Sequence, residues 1–211
     1  MYLARLDNDV IFKKAFSDKR VLPQFVKDIL GIDLKVKKIE TDKRFSPKIV
    51  YINFAYDVFA ESRDDRIIVE IQRAKYDYNL DRFLHYHRMA IAELQRSAKH
   101  YEIRKRVYTI VVLTAPGVLK DKDDKPLSED VLVSEIEPKT LDGRVFNCYG
   151  HKLMFLNPHF KNKNTPPSYV DWFDLITESI HHPENPSINL KNKAIKTVAI
   201  DVQIINSTSR S

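Results

Sequence analysis

The sequence predicts a mixed α/β fold, a β-sheet with helices packed on its faces. Three observations predict it. Apolar residues recur at helical spacing from Ile11 to Leu30, then change to strand alternation across the centre of the chain. A long helical stripe follows from about Tyr78 to Tyr101. After it comes Val107 to Thr114, a nearly continuous apolar run of the kind that a strand buried on both faces shows.

Each element has its own local signal. Ile11, Phe12, Ala15 and Phe16 mark a first helix, with Asp7, Asn8 and Asp9 as candidate N-caps before it. Leu22, Phe25, Val26, Ile29 and Leu30 mark a second, with Pro23 in its first turn and Gly31 as its stop. Leu34 to Ile39 is expected as a short strand. Ile49 to Ala60 is expected as a longer one, with Tyr51, Asn53, Ala55, Asp57 and Phe59 on one face and Val50, Ile52, Phe54, Tyr56 and Val58 on the other. Glu61 to Arg66 reads as a polar turn and Ile67 to Gln72 as the antiparallel return.

In the long helix, Leu80, Phe83, Leu84, His87, Ile91, Leu94 and Ala98 trace one stripe. Pro116 and Gly117 are expected to end the buried strand. Val131 to Ile136, Val145 to Cys148 and Lys152 to Leu156 are expected as strands or edge pieces, and Asn157 to Pro167 as a loop. Tyr169, Trp172, Phe173, Ile176 and Ile180 mark another helix. A last helix is expected within Lys191 to Ile205, fraying from Asn206 to Ser211.

The composition excludes several classes. The 211 residues suit one domain with a small appendage. Four glycines and the absence of G-x-x-x-x-G-K and G-x-G-x-x-G remove the common phosphate-loop and dinucleotide readings. One cysteine, Cys148, allows neither an intrachain disulfide nor a multi-cysteine zinc site, and with no matched local base it reads as structural. No apolar run reaches the roughly 18 residues that span a membrane, so a soluble, cytoplasmic protein is expected. The net charge of +6 and pI near 9.2 suit a polyanionic partner and equally a mildly basic soluble domain.

The chemistry is concentrated between Phe54 and Tyr76. Strand alternation puts Glu70 and Gln72 on one face, opposite Ile67, Val69 and Ile71, and the hairpin can bring Asp57 beside them. Two carboxylates on paired strands offer hard oxygen to Mg²⁺ or Mn²⁺, and the backbone carbonyl of Ile71 can add another ligand. A cation held there polarises a phosphodiester and lowers the pKa of a bound water. Gln72 is no base at neutral pH, but its amide can orient a water or a phosphate oxygen; it also fits a polar position on an edge strand. His85 and His87, two apart on a helix, point about 200° apart and are rejected as a chelate.

These residues resemble the PD-(D/E)XK nuclease superfamily, whose members carry an Asp at a strand end and E-x-K on the next strand before a helix. Asp57 and Glu70-Ile71-Gln72 sit at that spacing, with Gln72 where lysine is commonest. The E-x-Q form resembles the transposase-like, recombination-promoting branch. Asp9-Val10-Ile11-Phe12-Lys13-Lys14-Ala15-Phe16 resembles that branch's D-x-x-F-K-x-x-F, Arg82 and Tyr86 its R-x-x-x-Y, and Asp171-Trp172 its late tryptophan-bearing helix.

The resemblance implies a restriction-endonuclease-like core over residues 1–180, with a C-terminal helix and tail over 181–211. It implies a Mg²⁺- or Mn²⁺-dependent endonuclease acting on DNA in recombination or mobile-element biology. Asp57, Glu70 and Gln72 would be catalytic, and Asp57, Glu70 and the Ile71 carbonyl would hold the metal. An acid on the first helix often joins that site, so Asp9 is either such a ligand or a helix N-cap. Lys13 meets phosphate or is solvated; Arg82 and Tyr86 share a helix face and either bind phosphate or brace the site. Missing the motif lysine leaves a second reading, a nucleic-acid- or protein-binding module that kept the fold and lost turnover. Cutting both strands would ordinarily use two sites, so a homodimer is the natural expectation.

Overall fold

The computed structural model describes residues 2–36, 38–45, 54–73, 80–94, 103–115, 119–120, 123 and 126–208. Helices α1 (Asp9–Phe16) and α2 (Leu22–Leu30) open the fold. Asn8 is the N-cap of α1, its Oδ1 accepting the N–H groups of Val10 at 3.0 Å and Ile11 at 3.3 Å, so Asp9 lies inside the first turn and is not the cap. Gly31 ends α2 at φ +70°, a left-handed stop that glycine adopts without a Cβ clash.

Strands β1 (Ile39–Phe45), β2 (Phe54–Glu61) and β3 (Asp65–Gln72) follow, then α3 (Leu80–Ala92) and β4 (Arg106–Leu113). The small strands β5 (Leu119–Lys120) and β6 (Pro126–Leu127) pair with each other. Strands β7 (Val131–Glu135) and β8 (Lys152–Leu156) lead to α4 (Pro167–His181) and α5 (Lys193–Thr208). Among the described residues the main sheet has six strands in the order β1-β2-β3-β4-β8-β7. The centre, β3-β4-β8, is parallel, and antiparallel pairs close both sides. This is the mixed α/β sheet that the sequence predicts.

Helices α1, α2, α4 and α5 cover one face of the sheet and α3 the other. On the first face Trp172 is fully buried against Phe16 and Phe25, and donates its indole N–H to Asp28 at 2.8 Å. Ala194, Ile195, Val198 and Ala199 of α5 belong to the same core. On the other face, the buried Arg66 guanidinium ties the β2–β3 hairpin to α3 through Glu61 at 2.7 Å, Glu93 at 2.9 Å and the Ala90 carbonyl at 2.8 Å.

Several boundaries differ from the sequence reading. The strand expected from Leu34 begins at Ile39, where pairing with Ala60 starts; Leu34 is apolar because it packs in the core as connecting chain. The hairpin turn is only Ser62 to Asp64, because Arg66 buries its charge on neighbouring carboxylates and Ser62 Oγ accepts the Asp65 N–H at 3.0 Å. Helix α3 gives way to a turn at Glu93 and Leu94; the expected positions 78–79 and 95–101 lie outside the described residues, as do 49–53 and Pro116–Gly117.

Val145 to Cys148 forms a single bridge, Lys139 to Val145, and no ladder. The N–H groups of Cys148, Tyr149 and Gly150 go instead to the Glu137 carboxylate. A short 3-10 turn, Pro158–Phe160, interrupts the expected loop, and Pro167 already belongs to α4. Helix α5 continues through Asn206 to Thr208, where neither glycine nor proline stops it.

Candidate active site

The site forms where β2 and β3 part. Their ladder runs from Glu61–Arg66 to Val58–Val69 and stops. One step on, bonds from backbone N–H groups to side-chain carboxylates replace the backbone ladder. The Asp57 N–H donates to Glu70 Oε1 at 3.2 Å, and the Ile71 N–H donates to Asp57 Oδ2 at 3.0 Å. The strand alternation slips at this point. Tyr56 and Phe59 pack together on the α3 face, while Val58 and Ala60 join the opposite core, contrary to the strict alternation expected for β2. Asp57 sits in the slip, its carboxylate meeting the Ile71 N–H and the Lys13 ammonium.

Glu70 lies beneath it, 2% exposed. Burial pushes its carboxyl well above the usual carboxylate range, and the nearby Asp57 charge pushes the same way; the Asp57 N–H, Arg82 and Lys13 oppose them only in part. An acid so placed is costly to ionise unless a cation joins it.

Helix α1 supplies Lys13 to this pair. Phe12 and Phe16 of the D-x-x-F-K-x-x-F segment are fully buried and stack at 4.1 Å between ring centroids, which pins the helix to the core. Asp9 and Lys13, one turn apart, are held on the side facing β1 and β2. The Lys13 ammonium lies 2.7 Å from Asp42 Oδ1, 3.2 Å from Asp57 Oδ1 and 3.3 Å from Asp9 Oδ2. Burial alone would lower its pKa, yet the hydrogen bond to Asp42 and the Asp57 and Asp9 carboxylates outweigh it and hold the ammonium well above the usual lysine range.

Gln72 is on the third of six strands, but it lies beyond the end of the β2–β3 ladder and pairs only with Leu113 of β4. Its carbonyl accepts the Thr114 N–H at 3.0 Å, and its side-chain Oε1 lies 3.5 Å from an Arg82 nitrogen. Arg82 Nε donates to the Tyr86 hydroxyl at 3.1 Å, and the Tyr86 carbonyl accepts the Tyr56 hydroxyl at 2.9 Å. The Arg82–Tyr86 pair therefore braces Gln72 from α3. His87 is buried on Thr109, its Nδ1 at 2.9 Å, and burial lowers its pKa to about 4. It is a buried core histidine of α3.

Asp57, Glu70, Gln72, Lys13, Arg82 and Tyr86 thus share one neighbourhood. Asp9 reaches it through Lys13 and not as a third acid beside the pair. No group of three His, Cys, Asp or Glu side chains is arranged to share one ion among the described residues. The fit to a divalent ion therefore rests on two carboxylates and a backbone carbonyl. They are hard oxygen donors, one of them buried without a cation of its own, and they suit such an ion. The residue that sequence reasoning missed is Asp42; its place opposite Asp57 depends on strand register, which no periodicity reveals. A cavity of about 720 Å³ opens at the other end of β4, between Arg106, His151 and Glu137, and contains none of these side chains. The paired carboxylates, not concavity, mark the site.

No curated protein and no solved structure matches the chain. A family model does match, that of the PD-(D/E)XK nuclease family transposases, over residues 6–211. The match spans both opening helices, the hairpin with Asp57 and Glu70, and α5. With the mixed sheet and the carboxylate pair at its centre, it shows that the chain belongs to the PD-(D/E)XK nuclease family transposases.

Proposed function

We propose that this chain is a divalent-metal-dependent endonuclease that hydrolyses DNA phosphodiesters in recombination or mobile-element biology. The observation that carries the proposal is the Asp57–Glu70 pair, held where β2 and β3 part by bonds from the Asp57 and Ile71 N–H groups to the Glu70 and Asp57 carboxylates. Strand geometry turns the Ile71 carbonyl toward the same side as its N–H, which Asp57 already accepts, so the carbonyl is available beside both acids.

Asp57, Glu70 and the Ile71 carbonyl would hold Mg²⁺ or Mn²⁺. The ion, when bound, supplies Lewis-acid polarisation of the phosphodiester and an acidified water. Gln72, fixed by Arg82, orients the attacking water or a phosphate oxygen through its amide. Glu70 would serve as an anionic ligand, the cation offsetting the cost of a charge at so buried a carboxyl. Arg82 and Lys13 place positive charge beside the pair, where a phosphate would otherwise be repelled. Double-strand cutting by one site per chain favours action as a homodimer. Among the described residues no helix is long and apolar enough to cross a membrane.

The test is cleavage of supercoiled plasmid by the purified chain with Mg²⁺, Mn²⁺ or EDTA, beside Asp57→Ala and Glu70→Ala. Metal-dependent nicking or linearisation, lost in both variants, is the expected result. Intact plasmid, or equal cutting by all three proteins, overturns the endonuclease reading and favours a binding module on the same fold. An RNA substrate of the same sequence, run in parallel, tests the choice of DNA.

A further inference from the structure

Asp42 enters the site only through Lys13, yet its backbone is bent at that point. The pairs Thr41–Val58 and Lys43–Tyr56 place it directly across the β1–β2 ladder from Asp57. It takes φ +52° inside a strand, the one positive φ outside glycine among the described residues. Such a conformation is costly for any residue with a Cβ, though Asp tolerates it better than most. Strain of this kind persists where surrounding contacts over-determine it. The contact here is the Lys13 ammonium, closer to Asp42 than to either other acid.

Asp57 divides its oxygens. Oδ2 accepts the Ile71 N–H, and Oδ1 faces Lys13 at 3.2 Å. Any cation that binds Asp57 through Oδ1 must contend with the ammonium already there. The Lys13 side chain is only 15% exposed and its helix is fixed by Phe12 and Phe16, so it cannot swing far into solvent. It has a second anchor in Asp42, which is 61% exposed and holds the shorter contact.

We infer that Lys13 is a resident cation of the site, competing with an incoming divalent metal for Asp57 Oδ1, and that Asp42 is the positioning residue that retains its ammonium once Asp57 is taken. The pair then keeps one positive charge beside the two acids while the metal is bound. Lys13 sets a threshold for loading, and Asp42 lowers it. This rests on the metal-dependent reading of the site proposed above.

The test is Mn²⁺ affinity of the full chain without DNA, followed by the free-ion paramagnetic resonance signal. The proteins are the parent, Lys13→Met, Asp42→Asn, the double variant and Asp57→Ala, each checked for folding by circular dichroism. Removing the competing charge is expected to tighten Mn²⁺ binding at least about tenfold in Lys13→Met, the scale of a unit charge acting over a few ångströms near a protein surface. Asp42→Asn is expected to weaken binding severalfold, and to do so much less in the Lys13→Met background.

Weaker or unchanged binding in a folded Lys13→Met overturns the inference while leaving the metal site intact. An equal effect of Asp42→Asn in both backgrounds also overturns it, because Asp42 would then act as bulk charge. If Lys13→Met does not fold, Asp42→Asn still decides the matter, and undiminished binding in it overturns the inference. Undiminished binding in Asp57→Ala sinks the metal site itself and the inference with it.

Discussion

Asp57 and Glu70 hold each other across the point where their strands separate: the Asp57 N–H donates to Glu70 Oε1, and the Asp57 carboxylate accepts the N–H of the next residue, Ile71. The bonds that fix the geometry of the pair also keep one carboxyl buried. A carboxyl so placed is costly to ionise, and this makes the pair testable.

Glu70→Gln keeps the shape and the acceptor for the Asp57 N–H but removes the buried ionisable carboxyl. We expect the metal-free protein to gain about 1 kcal/mol, a rise in melting temperature of about 2–4 °C for a chain of this size, while plasmid cleavage is abolished. Thermal melts in EDTA and a cleavage assay check both halves. Destabilisation on this substitution would show that Glu70 is ionised and well compensated without metal.

The pH dependence of the same residue has a definite sign. Its folded pKa is raised above the ordinary glutamate value of 4.5. Its contribution to stability is therefore fully present below 4.5 and is lost as pH rises through the raised folded value. In EDTA, the stability of the parent relative to Glu70→Gln should fall as pH is raised across that window, then level off. Mn²⁺ affinity should rise over the same window, because binding displaces a proton. Melts and Mn²⁺ titrations at stepped pH measure the two trends, which must run in opposite directions.

Arg82 is exposed and reaches Gln72 only at 3.5 Å, so its removal should matter more to rate than to fold. Arg82→Ala is expected to cost less than about 1 kcal/mol in urea unfolding. Cleavage should slow by about tenfold if Gln72 positions the reacting water or phosphate. Tyr86→Phe, which deletes only the hydroxyl that accepts from Arg82, should fall between parent and Arg82→Ala.

Phe12 carries no chemistry, yet it anchors the helix that carries Lys13. Phe12→Ala should cost about 3–5 kcal/mol, as expected for a fully buried aromatic residue. Urea unfolding in EDTA measures it. A loss under about 1 kcal/mol would mean that α1 is held mainly by other contacts.

Much of this site was legible in the sequence because its residues are close along the chain. Asp57, Glu70 and Gln72 lie on one hairpin, and hairpin spacing brings them together whatever else the fold does. Arg82 and Tyr86 are one helical turn apart, and Phe12 with Phe16 likewise. Asp42 was invisible for the opposite reasons: its partner Lys13 is on another element, its position depends on register, and its left-handed backbone contradicts strand propensity. The slip in alternation at Asp57 was equally hidden, since a period of two carries no mark of where it is broken. In the fold, caps and glycine fixed the ends of α1 and α2 well. Elements were misplaced where an apolar residue packs outside a strand, as Leu34 does, or where a charged one is buried inside it, as Arg66 is.

The parallel pairing of β4 with β8 has a consequence for the birth of the molecule. Tyr108 meets Lys152, far along the chain, and β7 is made before the strand it must pair with. During synthesis the apolar run of β4 leaves the ribosome on the order of seconds before β8 can cover its outer edge. In that interval it is a sticky, β-prone segment with one side unpaired. Mutations that slow the arrival or docking of β8 should therefore lower soluble yield before they touch activity, making expression the first casualty of damage to a strand remote from Asp57.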